Sequence, residues 1–189
     1  MDVLTLLKED HKAVGALLDE AIECEPGDGR LDALAQEIES ALTVHAAIEE
    51  KYFYPALHDR AEEADQSVDV FEAYTEHDLI KTLIALLKSG RQPDEQFKAE
   101  VQVLGENVKH HVKEEESTIF SLARELLDGD ELEELGETME AAKDRMLSRA
   151  SRNGSGKKSS AKKSTAKKSS AKKRSSPQRA GAQKKRTRR

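Results

Sequence analysis

The chain has 189 residues, 36% charged and only 4% aromatic, with no tryptophan and a single cysteine, Cys24. This excludes an intramolecular disulfide framework, and no apolar run reaches membrane-spanning length; the balance fits one modest helical domain plus an appended segment. The net charge of −6 hides an asymmetry: residues 151–189 hold 16 of the 31 Lys and Arg and none of the 37 Asp and Glu, leaving residues 1–150 at a formal −22.

The opening MDVLTLLKED lacks a basic start and a small-residue cleavage site, so a cytoplasmic location without membrane contact is expected. Asp2 is placed to cap a first helix with an apolar stripe at Leu4, Leu7, His11, Val14 and Leu18. Pro26-Gly27-Asp28-Gly29 should break it. A second helix follows, with Leu31, Leu34, Ile38, Leu42, His45, Glu49 and Tyr52 on one side; Pro55 is expected to kink or end it. The third carries Val70, Tyr74, His77, Ile80, Ile84 and Leu87 and should stop at Ser89-Gly90. The fourth carries Phe97, Val101, Leu104, Val108, His111, Glu115, Thr118 and Leu122. After Asp128-Gly129-Asp130 a short acidic helix is expected over about 131–149.

The expected fold is all-α: an up-down-up-down four-helix bundle over 1–128, the short helix within 129–150, and a disordered basic tail over 151–189. The tail has no Leu, Ile, Val or Phe, too little apolar surface to offset chain entropy.

A pattern occurs twice. HAAIEE begins at His45 and HVKEEE at His111, and a lone histidine precedes each at the same separation, at His11 and His77. The chain thus holds two related halves, the second repeating the first at one constant offset, that from His45 to His111. Side chains four apart share a helix face, so His45 with Glu49, and His111 with Glu115, can point at one centre; Glu50 and Glu116 fall about 100° further round, toward solvent.

A lone histidine in a helix seam is usually a core residue with a hydrogen-bond partner. Here four histidines and two glutamates fall on core faces, and no Lys or Arg shares those stripes. Burying two uncompensated carboxylates costs several kcal/mol apiece, which a metal cation removes. Imidazole and carboxylate suit iron, manganese or zinc. Six protein ligands, His11, His45, Glu49, His77, His111 and Glu115, exceed a tetrahedral zinc site and suit two bridged octahedral ions, with two iron ions as the first choice and manganese or zinc as alternatives. The Glu-x-x-His spacing of ferritin-like sites is absent. Tyr52, seven residues after His45 on the same stripe, is a candidate to hydrogen-bond metal-bound solvent or to ligate an iron, against a plain packing role. His110 and His58 read as rim residues and Cys24 as an inert small side chain.

From His11 to Phe120 this ordered set resembles the hemerythrin-like, His-His-Glu cation-binding domains. The resemblance implies a four-helix bundle around a non-haem di-iron centre with the two glutamates as bridges. Oxygen-carrying hemerythrins have a further histidine four residues from the third-helix ligand, where this chain has Ala73 or Lys81. The resemblance therefore implies a protein responsive to iron, oxygen, peroxide or nitric oxide rather than a reversible oxygen carrier. A peroxide-decomposing enzyme is the alternative, although the sequence shows no dedicated acid or base beyond Tyr52 and the ligands.

The repeated AKKS units of the tail resemble the basic tails of linker histones and some nucleoid proteins. Lys-rich chains bind phosphate backbones without sequence readout and in a salt-sensitive way. Non-specific DNA is the expected partner of 151–189, which would make a nucleoid protein with a structural bundle a third reading; docking on the chain's own acidic body is the competing one.

Overall fold

A computed structural model of the chain describes residues 1–87 and 91–164. Four rods form the body. The first is α1 (Val3–Glu23); the second joins α2 (Gly29–Ile48), a π-helical turn (Glu49–Phe53) and α3 (Tyr54–His58). The third is α4 (Ala64–Leu86), and the fourth joins α5 (Glu95–Glu114), a second π-helical turn (Glu115–Ile119) and α6 (Phe120–Leu126). α7 (Gly129–Ser164) follows. α1 packs on α2 and α5, and α4 packs on α2, α3 and α5, closing the bundle.

The ends of the rods are set by side-chain chemistry. Asp2 caps α1 by accepting from the Thr5 amide at 3.0 Å, and Asp94 caps α5 through the Phe97 amide at 2.9 Å. Asp128 and Glu131 accept from each other's backbone amides at 2.9 and 3.0 Å, a reciprocal capping box that starts α7. Between α1 and α2 the chain reverses at Gly27, whose φ of 87° only glycine adopts without strain.

Two apolar clusters stack along the bundle. One gathers Val3, Leu7, Ile48, Phe53, Tyr54, Phe120 and Met139; the other gathers Val14, Leu18, Ile38, Phe97 and Leu104. On every rod, the histidine-bearing turn falls between the segments that feed these two clusters.

Past Pro55 the helical continuation expected over 56–66 is short, and one expected boundary is corrected. The second rod continues through Pro55 to His58, because the carbonyl that a Pro55 amide would have served, that of Glu50, accepts from the Tyr74 hydroxyl at 3.2 Å instead. The short fifth helix is replaced by a longer α7 that stays helical through Ser164, well past Ser151, where the segment expected to be disordered begins. Extending an established helix needs no new nucleus, and Lys, Arg and Ala are good helix formers. Residues 165–189, the rest of the tail, and Ser89-Gly90 lie outside the described residues. The chain divides into units Met1–Arg149 and Ala150–Arg189, so α7 as far as Arg149 belongs with the bundle.

α7 lies alongside α1. Gly136 sits against the backbone of Met1, Asp2 and Val3, and seven residues later Lys143 pairs with Asp10, seven residues after Val3. A β-carbon at Gly136 would overlap α1 backbone. Gly136→Ala is therefore expected to destabilise the fold by roughly 1–3 kcal/mol, read as a lower denaturant midpoint. Gly15→Ala, whose β-carbon meets nothing within 4 Å, should raise the midpoint through helix propensity.

Candidate metal centre

The structure brings His11, His45, Glu49, His77, His111 and Glu115 together in the middle of the bundle, all buried. Their inward atoms form two groups, each within 4.8 Å: His11, His45, Glu49 and Glu115 in one, Glu49, His77 and His111 in the other. Glu49 is common to both, with Oε2 3.2 Å from His45 Nε2 and 3.3 Å from His77 Nε2. Glu115 Oε2 lies 3.0 Å from His11 Nε2 and 3.8 Å from His111 Nε2. Each half of the internal repeat thus supplies the two imidazoles of one group, with ring centroids 4.9 Å apart for His11 and His45 and 4.7 Å for His77 and His111.

Each π-helical turn begins on one of the two glutamates. The Tyr54 amide donates to the Glu49 carbonyl and the Phe120 amide to the Glu115 carbonyl, five residues back rather than four. The extra residue rotates everything after it. Tyr52 is consequently turned away: it is half-buried, with the Lys51 ammonium 4.9 Å from its ring centroid, and takes no part in the centre. Tyr54 replaces it there, fully buried, donating to Glu115 Oε1 at 2.9 Å with His77 Nε2 3.2 Å away. Thr118 is likewise turned away and is exposed, and Phe120 occupies the position equivalent to Tyr54, stacked at 6.0 Å on His11. Pro55 is not the cause, since the second turn forms with Ser121 in the matching place.

A ring of outer carboxylates holds the imidazoles. Glu116 Oε1 is 2.9 Å from His11 Nδ1, Glu50 Oε1 is 2.9 Å from His77 Nδ1, and Glu76 Oε2 is 2.8 Å from His111 Nδ1. Asp10 faces His45 Nδ1 at 3.8 Å and is drawn toward Lys143. An Nδ1–H donated to a carboxylate leaves the Nε2 lone pair pointing at the centre. The bracing crosses between halves: Glu50 of the first supports His77 of the second, and Glu116 of the second supports His11 of the first.

The donor set fits a cation. Among the described residues, the buried side-chain atoms without a hydrogen-bond partner are, apart from Asp32 Oδ1, all at this centre: His11 Nε2, both His45 nitrogens, both Glu49 oxygens and Glu115 Oε2. Orphaned buried lone pairs on this scale cost free energy unless something electropositive meets them. His77 and His111 also turn Nε2 toward each other at 3.1 Å. The protein alone answers by moving protons. Burial, reinforced by Glu115, pushes the Glu49 carboxyl well above the usual carboxylate range. Burial opposes charge on both partners of the His11–Glu115 pair, but their mutual attraction prevails: His11 is lifted to about 9 and Glu115 is held low. Burial pushes His45 down to about 4 and keeps the Tyr54 hydroxyl protonated.

Residues 2–123 match the family described as the hemerythrin HHE cation binding domain. The chain belongs to that family. It is similar, at 25% identity and a TM-score of 0.69, to the crystal structure of a hemerythrin HHE cation-binding domain-containing protein from Mycobacterium kansasii, over 79% of this chain and 90% of that one. It is also 28% identical over 156 residues to a protein named DNA nickase from Nostoc sp.. The match covers 82% of this chain but only 43% of that relative's length.

In this HHE chain, Ala73 is buried and Lys81 pairs with Glu50 at 2.6 Å, so neither adds an imidazole to the centre. His110 is exposed, with Nε2 3.4 Å from Glu76, and His58 is exposed against Phe71. Cys24 is buried at the end of α1, with Sγ 3.4 Å from the Glu20 carbonyl. Sequence reasoning missed Tyr54 and the outer carboxylates. Glu50 and Glu116, expected to face solvent, turn inward to the imidazoles. The internal repeat carried the missing signal: Asp10 and Glu76, like Glu50 and Glu116, stand at equivalent positions of the two halves.

Two outcomes follow from this geometry. Glu50→Ala and Glu116→Ala should each weaken metal affinity by about 10- to 100-fold, whereas Tyr52→Phe should leave it unchanged, measured by competition with a chelator. Loading also requires His11 and Glu49 to lose protons that they hold in the protein alone. Protonation competes with the cation, so affinity should rise with pH through the His11 value of about 9. Metal added to unbuffered protein should acidify the solution.

Proposed function

We propose that this chain is a non-haem di-iron protein that responds to oxygen, peroxide or nitric oxide rather than carrying oxygen reversibly. The observation that supports this reading most is the set of six inward donors from four rods, arranged as two groups that share Glu49. Four imidazoles and two carboxylates suit octahedral iron better than tetrahedral zinc. His11 and His45, with Glu49 and Glu115, would hold one ion; His77 and His111, with Glu49, would hold the other, leaving it fewer protein ligands and room for a small exogenous one.

When bound, such ions supply Lewis acidity and one-electron redox chemistry. The chain's own residues supply the setting. Glu50, Glu76 and Glu116 fix three of the imidazoles. Phe53, Ile48, Ile119 and Phe120 form a dry floor beneath the centre. Tyr54 keeps a proton at Glu115 Oε1, on the side of His77, where it can meet an incoming oxygen ligand. Phe120 offers no such donor beside His11. A ligand that needs a hydrogen bond is therefore favoured at the His77–His111 side.

Protein purified from iron-rich medium should contain about two iron ions per chain and absorb in the near ultraviolet through carboxylate- and imidazole-bound iron(III). Glu49→Ala should lose both ions, and His45→Ala should retain at most one, read by metal analysis with the optical spectrum before and after peroxide. Sustained oxygen release from peroxide, over many turnovers per centre, would turn the reading from sensor to enzyme. Wild-type protein without a tightly held transition ion would overturn it.

A second reading concerns DNA. It is favoured by the 16 Lys and Arg of residues 151–189 and by the similarity to a protein named DNA nickase. We propose that this segment binds nucleic-acid backbones without sequence preference, bringing the iron centre close to DNA. Removing 151–189 should abolish retardation of DNA in a gel at low salt, while His45→Ala leaves retardation intact. Unchanged retardation by the truncated chain would dismiss this role for the tail.

A further inference from the structure

A cleft of about 410 Å³ opens between α4 and the fourth rod. Asp69, Glu72 and Glu114 line it together with His110, with Glu114 Oε1 3.5 Å from the exposed Lys113 ammonium; deeper in are Glu76, which braces His111, and Glu115 of the centre itself. Glu115 has a fully buried side chain whose Oε2 meets no hydrogen-bond donor apart from its ion-pair partner His11, 3.0 Å away. The cleft therefore reaches from solvent to the residue whose buried carboxylate faces a histidine of each pair, His11 and His111. On the α1–α5 side a smaller pocket borders His11, but Lys109 and Lys113 line it.

The internal repeat shows that this acidity is not a by-product of the fold. Asp69, Glu72, His110 and Glu114 have Val3, Leu6, Val44 and Ile48 as their counterparts in the first half. All four counterparts are buried. Val3, Leu6 and Ile48 belong to the apolar cluster that also contains Met139 and Ala142 of α7. At the inner position, Asp10 is neutralised by Lys143 of α7, whereas its counterpart Glu76 faces the cleft. α7 thus closes one of two symmetry-related faces, and the other is left open and lined with carboxylates.

We propose that this cleft is the loading route for the metal: Asp69, Glu72 and Glu114 form an outer station that captures hydrated divalent cations and passes them by way of Glu76 to Glu115. This rests on the reading of the centre as a metal site. Carboxylates at the mouth of a cleft concentrate cations and raise their association rate in a salt-dependent manner.

The test is a loading-rate measurement on the full chain, stripped with a chelator and mixed with cobalt(II) or anaerobic iron(II), followed by absorbance. The cleft variant is Asp69→Asn/Glu72→Gln/Glu114→Gln, which touches no imidazole. Its control is Asp59→Asn/Glu62→Gln/Glu125→Gln, which removes the same charge from a second acidic hollow away from the centre. Circular dichroism and thermal unfolding verify that both fold. The cleft variant should load about tenfold more slowly at low salt, with unchanged final stoichiometry and a gap that closes at high salt. The control should match wild type, and wild-type loading should itself slow as ionic strength rises. Equal rates for wild type and the cleft variant, or equal slowing in both triples, would overturn the route while leaving the metal centre intact. A wild type that takes up no ion would remove both.

Discussion

Two carboxylates sit side by side at the middle of a helical bundle with, among the described residues, no Lys or Arg paired with them, and the rest of the structure is an accommodation to that. Glu49 and Glu115 have side chains with no solvent exposure, and among the described residues their polar partners are imidazoles and Tyr54. Placing such groups in a core costs several kcal/mol each unless they are compensated. The protein alone limits the cost by protonating Glu49 and pairing Glu115 with a charged His11. That arrangement still leaves orphaned lone pairs at the centre. A cation bound there would meet those that point inward, on the carboxylates and the imidazole Nε2 atoms, between the apolar clusters above and below.

Holding four imidazoles with their Nε2 atoms inward requires more than helix geometry. A buried ring can rotate, and either nitrogen can carry the proton. The outer carboxylates remove both freedoms for His11, His77 and His111 at 2.8–2.9 Å. His45 is held differently: Asp10 stands 3.8 Å away and is engaged by Lys143 of α7. The fifth helix therefore reaches the centre through one intermediary, and the orientation of His45 depends on how α7 lies on α1. The close backbone approach at Gly136 fixes that packing two turns earlier.

Much of this was legible in the chain. The four stripes, the cap at Asp2 and the six inward donors follow from residue type and a 3.6-residue period. The equal spacing from His11 to His45 and from His77 to His111 made the two-fold character plain. What escaped was everything after residues 49 and 115. A period argument carries Leu42, His45 and Glu49 forward to Tyr52, but a π-helical turn adds one residue and delivers Tyr54. Nothing in local propensity announces such a turn, because no glycine or proline is common to its two occurrences. The outer carboxylates were hidden for another reason: about 100° round from the ligand face, they look like solvated charges, and only the neighbouring rod reveals what they meet.

The duplicated architecture also explains how one centre acquires two unlike sides. Were the residues of both halves identical, any cations bound in the two groups would see identical surroundings, and a small ligand would have no reason to prefer either. The substitutions at equivalent positions break that equality in a consistent direction. Tyr54 supplies a hydroxyl beside His77 where Phe120 supplies a flat apolar ring beside His11. Glu72 opens a polar cleft where Leu6 packs into the core. Both changes make the His77–His111 side wetter and more polar, and α7 seals the opposite face. Polarity, access and the smaller number of protein donors thus coincide on one side of the centre, the arrangement a site needs if one ion is to be kept in place while the other meets the outside.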